Sequence, residues 1–412
     1  MAVSRQSFVS RCACIGLYAN PQRIGAEHIL YVPACESHLV PAWPWQLDIR
    51  RGFQDSCACP QIRNQTLPRL PQILLALSLG TAGGFLFFFL GLPLPWMLGA
   101  MFSTMIAAVG GLPVLAPSRI RPFVVAVIGV MLGARFTSEI LGQMQVWAGT
   151  LSLLLLFVLV SAALVVPFYR FVGGFDWKTA YFAGMPGGLA EMVEIGEARG
   201  ADVRQVVLAH SLRIVVTIAM VALWFRVIEG YAVGRAILDQ GPPLQLVDAA
   251  LLLACAVFGS LAGRFLGLPA PAFLGPMILS AALHMAGITE GSPPGLLVNG
   301  AQVILGTVIG CRFSGIRAAE LARAAWLSLL ATLLSLVVAL AFGLVMQRHF
   351  GIALEQGLLA LAPGGLTEMG LVALAIHADV AFVALHHAAR ILFVILLAPF
   401  AFRLLGGERN GT

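Results

Sequence analysis

"MPGGLAEM" (Met185–Met192) and "APGGLTEM" (Ala362–Met369) are one motif written twice. Pro186 and Pro363 lie 177 residues apart. The same offset joins Glu191 to Glu368, Asp202 to Asp379, His210 to His387 and Arg213 to Arg390 without a gap. It also joins "GVMLGARF" (Gly129–Phe136) to "GTVIGCRF" (Gly306–Phe313). Further upstream an offset of 176 joins "GLPLPWMLGAM" (Gly91–Met101) to "GLPAPAFLGPM" (Gly267–Met277). An ordered series of motifs at one spacing marks an internal duplication. The expected organisation is a tail over 1–65, a first repeat over 66–240, a second over 241–405 and a short tail over 406–412.

The surroundings of the motif set the fold class. Of 412 residues, 59% are hydrophobic and 11% charged, whereas soluble domains carry about 25% charged residues. The runs Val146–Tyr169 and Ala324–Met346 hold no charge until their ends, and each exceeds the roughly 20 residues that cross a bilayer core. The chain reads as an all-α polytopic membrane protein. A formal charge of +6 does not imply nucleic acid, because the arginines are scattered between apolar segments and form no basic stripe. They read instead as topology signals. Cys12, Cys14, Cys35, Cys57 and Cys59 crowd the first tail, but two Cys-x-Cys pairs match no familiar metal spacing. No metal and no cofactor are expected, and 1–65 reads as a disordered tail or as sequence outside the mature protein.

Ten spans follow from hydropathy: 70–90, 94–111, 121–137, 146–168 and 204–228 in the first repeat, then 246–266, 271–288, 297–313, 324–346 and 380–402 in the second. Between the last two spans of each repeat lies a Pro-Gly-Gly segment, 179–198 and 356–376. If it enters and returns on one side, each repeat has five spans and the repeats are inverted. Arg119, Arg121, Arg170, Lys178, Arg199, Arg204, Arg264, Arg317 and Arg323 then all fall inside, in accord with the positive-inside rule. If it crosses, the repeats are parallel and that separation weakens. The expected fold is therefore two inverted repeats of about five spans, each with a re-entrant or broken Pro-Gly-Gly segment, in a bacterial inner membrane.

Proline lacks a helical N–H and glycines allow the chain to turn. Within lipid, non-helical backbone is tolerated only against protein or a wet cavity. Two matching breaks in inverted repeats are how many secondary transporters build a substrate site. Pro186, Gly187, Gly188 and their copies Pro363, Gly364 and Gly365 are thus candidate site residues. Glu191 and Glu368 follow each break. A carboxylate there could load a proton, bind a cation, or brace the broken backbone. His210/Arg213 and His387/Arg390 sit at i, i+3 and share a helix face, suited to an anion, to proton coupling, or to an interhelical salt bridge. Asp202 and Asp379 stand just before apolar helices, as N-caps do.

No nucleotide loop, H-E-x-x-H helix or G-x-S-x-G elbow is present. The duplicated "LP.P..LG", "G...G.RF" and "PGGL.EM…D……H..R" blocks resemble the bacterial AbrB membrane protein family, over about 66–405. Members are often labelled ammonia monooxygenases, and one branch is credited with regulating gene expression. The resemblance implies a polytopic inner-membrane protein with this duplication, and it places the family's most distinctive motif on Pro186, Gly187, Gly188, Glu191, Pro363, Gly364, Gly365 and Glu368. A monooxygenase needs several convergent metal ligands, which the sequence does not supply. The family shares its name with a small DNA-binding regulator, whose fold nothing in this hydrophobic chain resembles. The expectation is an ion-coupled secondary transporter or exporter of a small polar or anionic solute, not an enzyme, with its site between the repeats. A membrane regulator acting indirectly on expression is the alternative. The expected partners are the bilayer, the solute with or without protons, and a second copy of the chain, with no direct contact to nucleic acid.

Overall fold

The computed structural model describes residues 69–405, apart from Pro93, 137–141, Gln143, Glu229 and 231–244. The expectations for 1–65 and 406–412 lie outside the described residues. Fourteen α-helices make up the described chain, and no strand occurs among the described residues. The first seven are α1 (Arg69–Phe89), α2 (Pro95–Val109), α3 (Arg121–Gly133), α4 (Met144–Pro167), α5 (Trp177–Gly184), α6 (Leu189–Ala198) and α7 (Val203–Val227). The same order returns as α8 (Leu246–Phe265), α9 (Pro271–Met285), α10 (Gly295–Gly310), α11 (Ala318–Phe350), α12 (Leu354–Leu361), α13 (Leu366–Ala375) and α14 (Val380–Leu404). A π-helical turn, Phe168–Val172, extends α4.

Seven of these helices are long and apolar enough to cross a membrane. The chain is an all-helical, multi-pass membrane protein. Three of the ten expected spans are shorter than expected: α2 and α9 have 15 residues and α3 has 13. At 1.5 Å per residue they measure about 20–23 Å, less than the roughly 30 Å of a hydrocarbon core. Prolines set two of these boundaries. Pro95 and Pro271 open α2 and α9, where a missing N–H costs nothing. Leu94 and Ala270, just before them, both adopt left-handed backbone, with φ 43° and 48°.

Small residues decide how the helices pack. A Cβ on Gly129 or Gly133 of α3 would strike the carbonyls of Phe273 and Met277 on α9. A Cβ on Gly306 or Gly310 of α10 would strike those of Met97 and Met101 on α2. Each contact is the repeat equivalent of the other, so the two series exchange helices reciprocally. The G-x-x-x-G spacing acts here as it does in other membrane helices, by letting backbones touch. Helices α7, α10 and α14 are the most buried of the long helices, whereas α1 and α8 lie at the periphery. Phe85, Phe89, Phe258 and Phe265 on those outer helices are exposed, an apolar surface suited to lipid.

Helices α4 and α11 occupy equivalent places and run antiparallel. Gly149, near the start of α4, meets the ring of Phe350 at the end of α11. At the other end, Tyr169 faces Ser328 near the start of α11.

The chain reverses at the first Pro-Gly-Gly break. The Cβ of Phe182 on α5 lies 3.3 Å from where a Cβ on Gly196 of α6 would stand. A continuous helix would hold those residues about 21 Å apart. The backbone N–H of Asp202 donates to Thr179 Oγ1 at 2.8 Å, so the foot of α5 adjoins the foot of α7. Both α5 and α6 pack on α7, and α12 and α13 pack likewise on α14.

Candidate functional site

Each break leaves the carbonyls at the end of one short helix without helical partners. The helix that follows supplies them. Arg213 Nη1 donates to Met185 O at 2.9 Å, and Nη2 donates to Gly187 O at 3.1 Å. His210 Nε2 reaches Phe182 O at 2.8 Å, while its Nδ1 lies 2.8 Å from Arg213 Nη2. Those partners assign the tautomer: Nε2 carries the proton that the carbonyl accepts, and Nδ1 accepts from the guanidinium. The second repeat reproduces every contact. Arg390 Nη1 donates to Ala362 O at 2.6 Å and Nη2 to Gly364 O at 2.9 Å. His387 Nε2 reaches Leu359 O at 2.9 Å, and its Nδ1 lies 3.0 Å from Arg390 Nη2.

Cations thus sit at the C-terminal ends of α5 and α12, where the helix dipole favours them. Carboxylates take the complementary ends. Glu191 is in the first turn of α6 and Glu368 in the first turn of α13. A Cβ on Gly188 would overlap Glu191 Oε2, and one on Gly365 would overlap Glu368 Oε2. Each carboxylate therefore folds back over the glycine that opens its helix. Both are half-buried, and no hydrogen bond reaches either among the described residues. Asp202 and Asp379 stand at the starts of α7 and α14, accepting from Gln205 N at 3.2 Å and Phe382 N at 3.0 Å.

The two breaks approach one another through α7 and α14. A Cβ on Gly187 would meet Val394, one turn beyond Arg390, and Tyr181 of α5 donates its hydroxyl to Ala398 O of α14 at 2.7 Å. Arg213 and Arg390 lie within electrostatic reach of each other. Both are almost wholly buried, at 6% and 3% exposure. No carboxylate pairs with either guanidinium among the described residues. In each repeat the arginine Nε is buried with no partner.

A family model described as "Transition state regulatory protein AbrB" matches residues 96–406, most of the chain and both copies of this clamp. The chain belongs to the AbrB family. Two bacterial relatives of the AbrB chain match along nearly their whole lengths. It is 28% identical to "Putative regulator AbrB" of Escherichia coli (strain K12) over 340 residues, covering 81% of this chain and 95% of that one. It is 26% identical to "Uncharacterized protein YhjN" of Bacillus subtilis (strain 168) over 355 residues, covering 80% and 92%. The family is described as one of regulatory proteins.

Within this AbrB-family chain the twofold pattern is broken at Arg135/Arg312 and at His386. Arg135 is exposed, but its counterpart Arg312 is half-buried, within electrostatic reach of Glu368 and Arg121. His386 lacks a counterpart of its type; it bonds Phe382 O at 2.8 Å and Thr150 Oγ1 of α4 at 3.0 Å. A cavity of about 520 Å³ opens where the π-helical turn, the start of α7 and the start of α11 converge, with Tyr169, Gln205, Leu208, Arg323 and Leu327 in its wall. Sequence reasoning did not single out Tyr169, Ser328 or Thr332. A signal for the last two was present: in "AAWLSLLATLLSLVV", Ser328, Thr332 and Ser335 recur at one-face spacing inside an uncharged run. Among the described residues no group of three His, Cys, Asp or Glu side chains could hold a metal ion.

Proposed function

We propose that this protein is a secondary transporter of a small anionic solute, built from two inverted repeats of five spans and a re-entrant hairpin, with its site between the repeats in a bacterial inner membrane. One observation carries the proposal: two equivalent breaks in buried helices, each held open by an arginine and a histidine, with the two guanidinium groups within electrostatic reach of each other and no carboxylate paired with either among the described residues. A buried charge without a counter-ion is expensive. Two of them within electrostatic reach of each other favour an anion that comes and goes. The antiparallel course of α4 and α11 supports inversion, since equivalent helices run oppositely only when the relating axis lies across them. The back-folding of Phe182 onto Gly196 supports a hairpin.

The histidines act in this scheme as positioning groups, and the arginines brace the broken backbone through Nη1 and Nη2 while Nε stays without a partner. Glu191 and Glu368, unbonded at the helix N-termini, are the groups available to load a proton or cation. The names of the family and of the Escherichia coli relative favour a second reading, in which the protein regulates expression by moving or sensing a metabolite.

The test is flux through the full chain reconstituted in vesicles, with labelled carboxylates and inorganic phosphate under an imposed pH gradient. At least one solute should move, and Glu191→Gln and Glu368→Gln should abolish the pH dependence while the protein remains folded. Unchanged flux in both variants would remove the carboxylates from the mechanism. No gradient-driven flux of any of these solutes would overturn the transporter.

A further inference from the structure

Among the buried hydroxyl and guanidinium groups that lack hydrogen-bond partners, four lie on elements that pack together, the π-helical turn, α7 and α11: Tyr169, Arg213, Ser328 and Thr332. Tyr169 is 2% exposed and Ser328 and Thr332 are fully buried, and the side-chain oxygen of each lacks a hydrogen bond. Tyr169 faces Ser328 without hydrogen-bond geometry and lies within electrostatic reach of Arg213, whose Nε is likewise unpartnered. Thr332 stands one turn deeper on the same face of α11. Most buried polar groups in proteins find partners, so several orphans together signal a missing one. From this cluster and the cavity it adjoins, we infer a binding site for a small oxyanion, a carboxylate or a phosphate, formed by Arg213 Nε, Tyr169 Oη, Ser328 Oγ and Thr332 Oγ1.

The chemistry selects the ligand. Every orphan can donate, and a carboxylate or phosphate oxygen accepts several donors at once. Arg213 supplies the charge that no carboxylate of the described chain balances. The approach is through the cavity of about 520 Å³ in whose wall Tyr169 stands, alone of the four donors, beside Leu327, the neighbour of Ser328. Arg323 at the mouth is exposed and attracts an anion. Glu320 is committed to Arg204 through a 2.9 Å ion pair.

The site belongs to one side only. At the 177-residue offset, Tyr169 is replaced by Met346, Ser328 by Leu151 and Thr332 by Leu155. Both repeats carry the arginine clamp, but the three hydroxyl positions are apolar at the equivalent places of the other repeat. The backbone roles of Arg213 use Nη1 and Nη2, leaving Nε for the ligand. This site extends the proposed transport function by naming where the anion rests.

The experiment is saturation binding of labelled succinate and of inorganic phosphate to the purified full chain in detergent. Wild type should bind at least one of them saturably. Tyr169→Phe and Ser328→Ala should each weaken that binding by about tenfold, the worth of a hydrogen bond to a charged group, with unfolding temperatures unchanged. Met346→Leu, at the equivalent place, should bind as wild type does. Absence of saturable binding by folded wild type overturns the site, as does wild-type affinity in both hydroxyl variants. Binding that depends on these hydroxyls, without flux in vesicles, removes the transport function and leaves the site. Flux that is insensitive to both variants does the reverse.

Discussion

Arg213 and Arg390 show what an arginine does at a depth where charge is costly. The planar guanidinium spans two carbonyls of a broken backbone and one imidazole nitrogen at once. Lysine offers a single charged point on a flexible stem and cannot reproduce that fork. Arg213→Ala leaves Met185 O, Gly187 O and His210 Nδ1 without donors. At about 1–3 kcal/mol for each buried unsatisfied group, the loss should be about 3 kcal/mol or more. Thermal unfolding of the purified protein in detergent should show a clear fall for Arg213→Ala, with Arg213→Lys between it and wild type. Arg390 variants should follow the same order, because the second clamp repeats the first. An unchanged unfolding temperature in both alanine variants would mean that the clamps do not hold the breaks.

At the scale of elements, the hairpin of α5 and α6 is the feature on which the topology turns. Its closeness is specific: the Cβ positions of residues 182 and 196 are 3.3 Å apart, near the roughly 3.5–4.5 Å that a disulfide requires. In a background without the native cysteines, Phe182→Cys with Gly196→Cys should therefore form a disulfide on mild oxidation, read as lost alkylation by mass spectrometry. A segment that crossed the membrane as one helix would keep the two thiols far apart and fully alkylated. The same reversal explains why α5 and α6 are so short. Eight and ten residues are too few to span, and both ends of the hairpin return to the foot of α7, where Thr179 accepts from Asp202 N.

For the whole molecule, the proposed inversion of the two repeats accounts for the reciprocal glycine contacts and the antiparallel α4 and α11. Glu197, at the end of α6, and His377, just past α13, are both exposed and occupy corresponding ends of the two hairpins. Cysteines placed there singly should be labelled by an impermeant thiol reagent from opposite sides of the membrane. Labelling from one side would refute inversion and make the repeats parallel. The exposed phenylalanines of α1 and α8 place those helices toward lipid, and the buried arginines of α7 and α14 place theirs at the seam.

Much of this was legible in the chain itself. The duplication, the helical class and the site of each break follow from local chemistry: a fixed spacing, long uncharged runs, a proline without an N–H beside two glycines. Asp202 and Asp379 are readable for the same reason, since a cap interacts with backbone three residues away. What Arg213 and His210 touch was not readable in this way. Their partners lie 26–28 residues back, and an i, i+3 pair fits a ligand pocket or a backbone clamp equally well. Hydropathy did not foresee that α2, α3 and α9 stop short, because apolar character runs past the prolines that open α2 and α9. The convergence of Tyr169, Ser328 and Arg213 is further still from local pattern. It arises only when the end of α4, the start of α11 and the middle of α7 are packed together, and tertiary structure alone brings three such distant segments to one point.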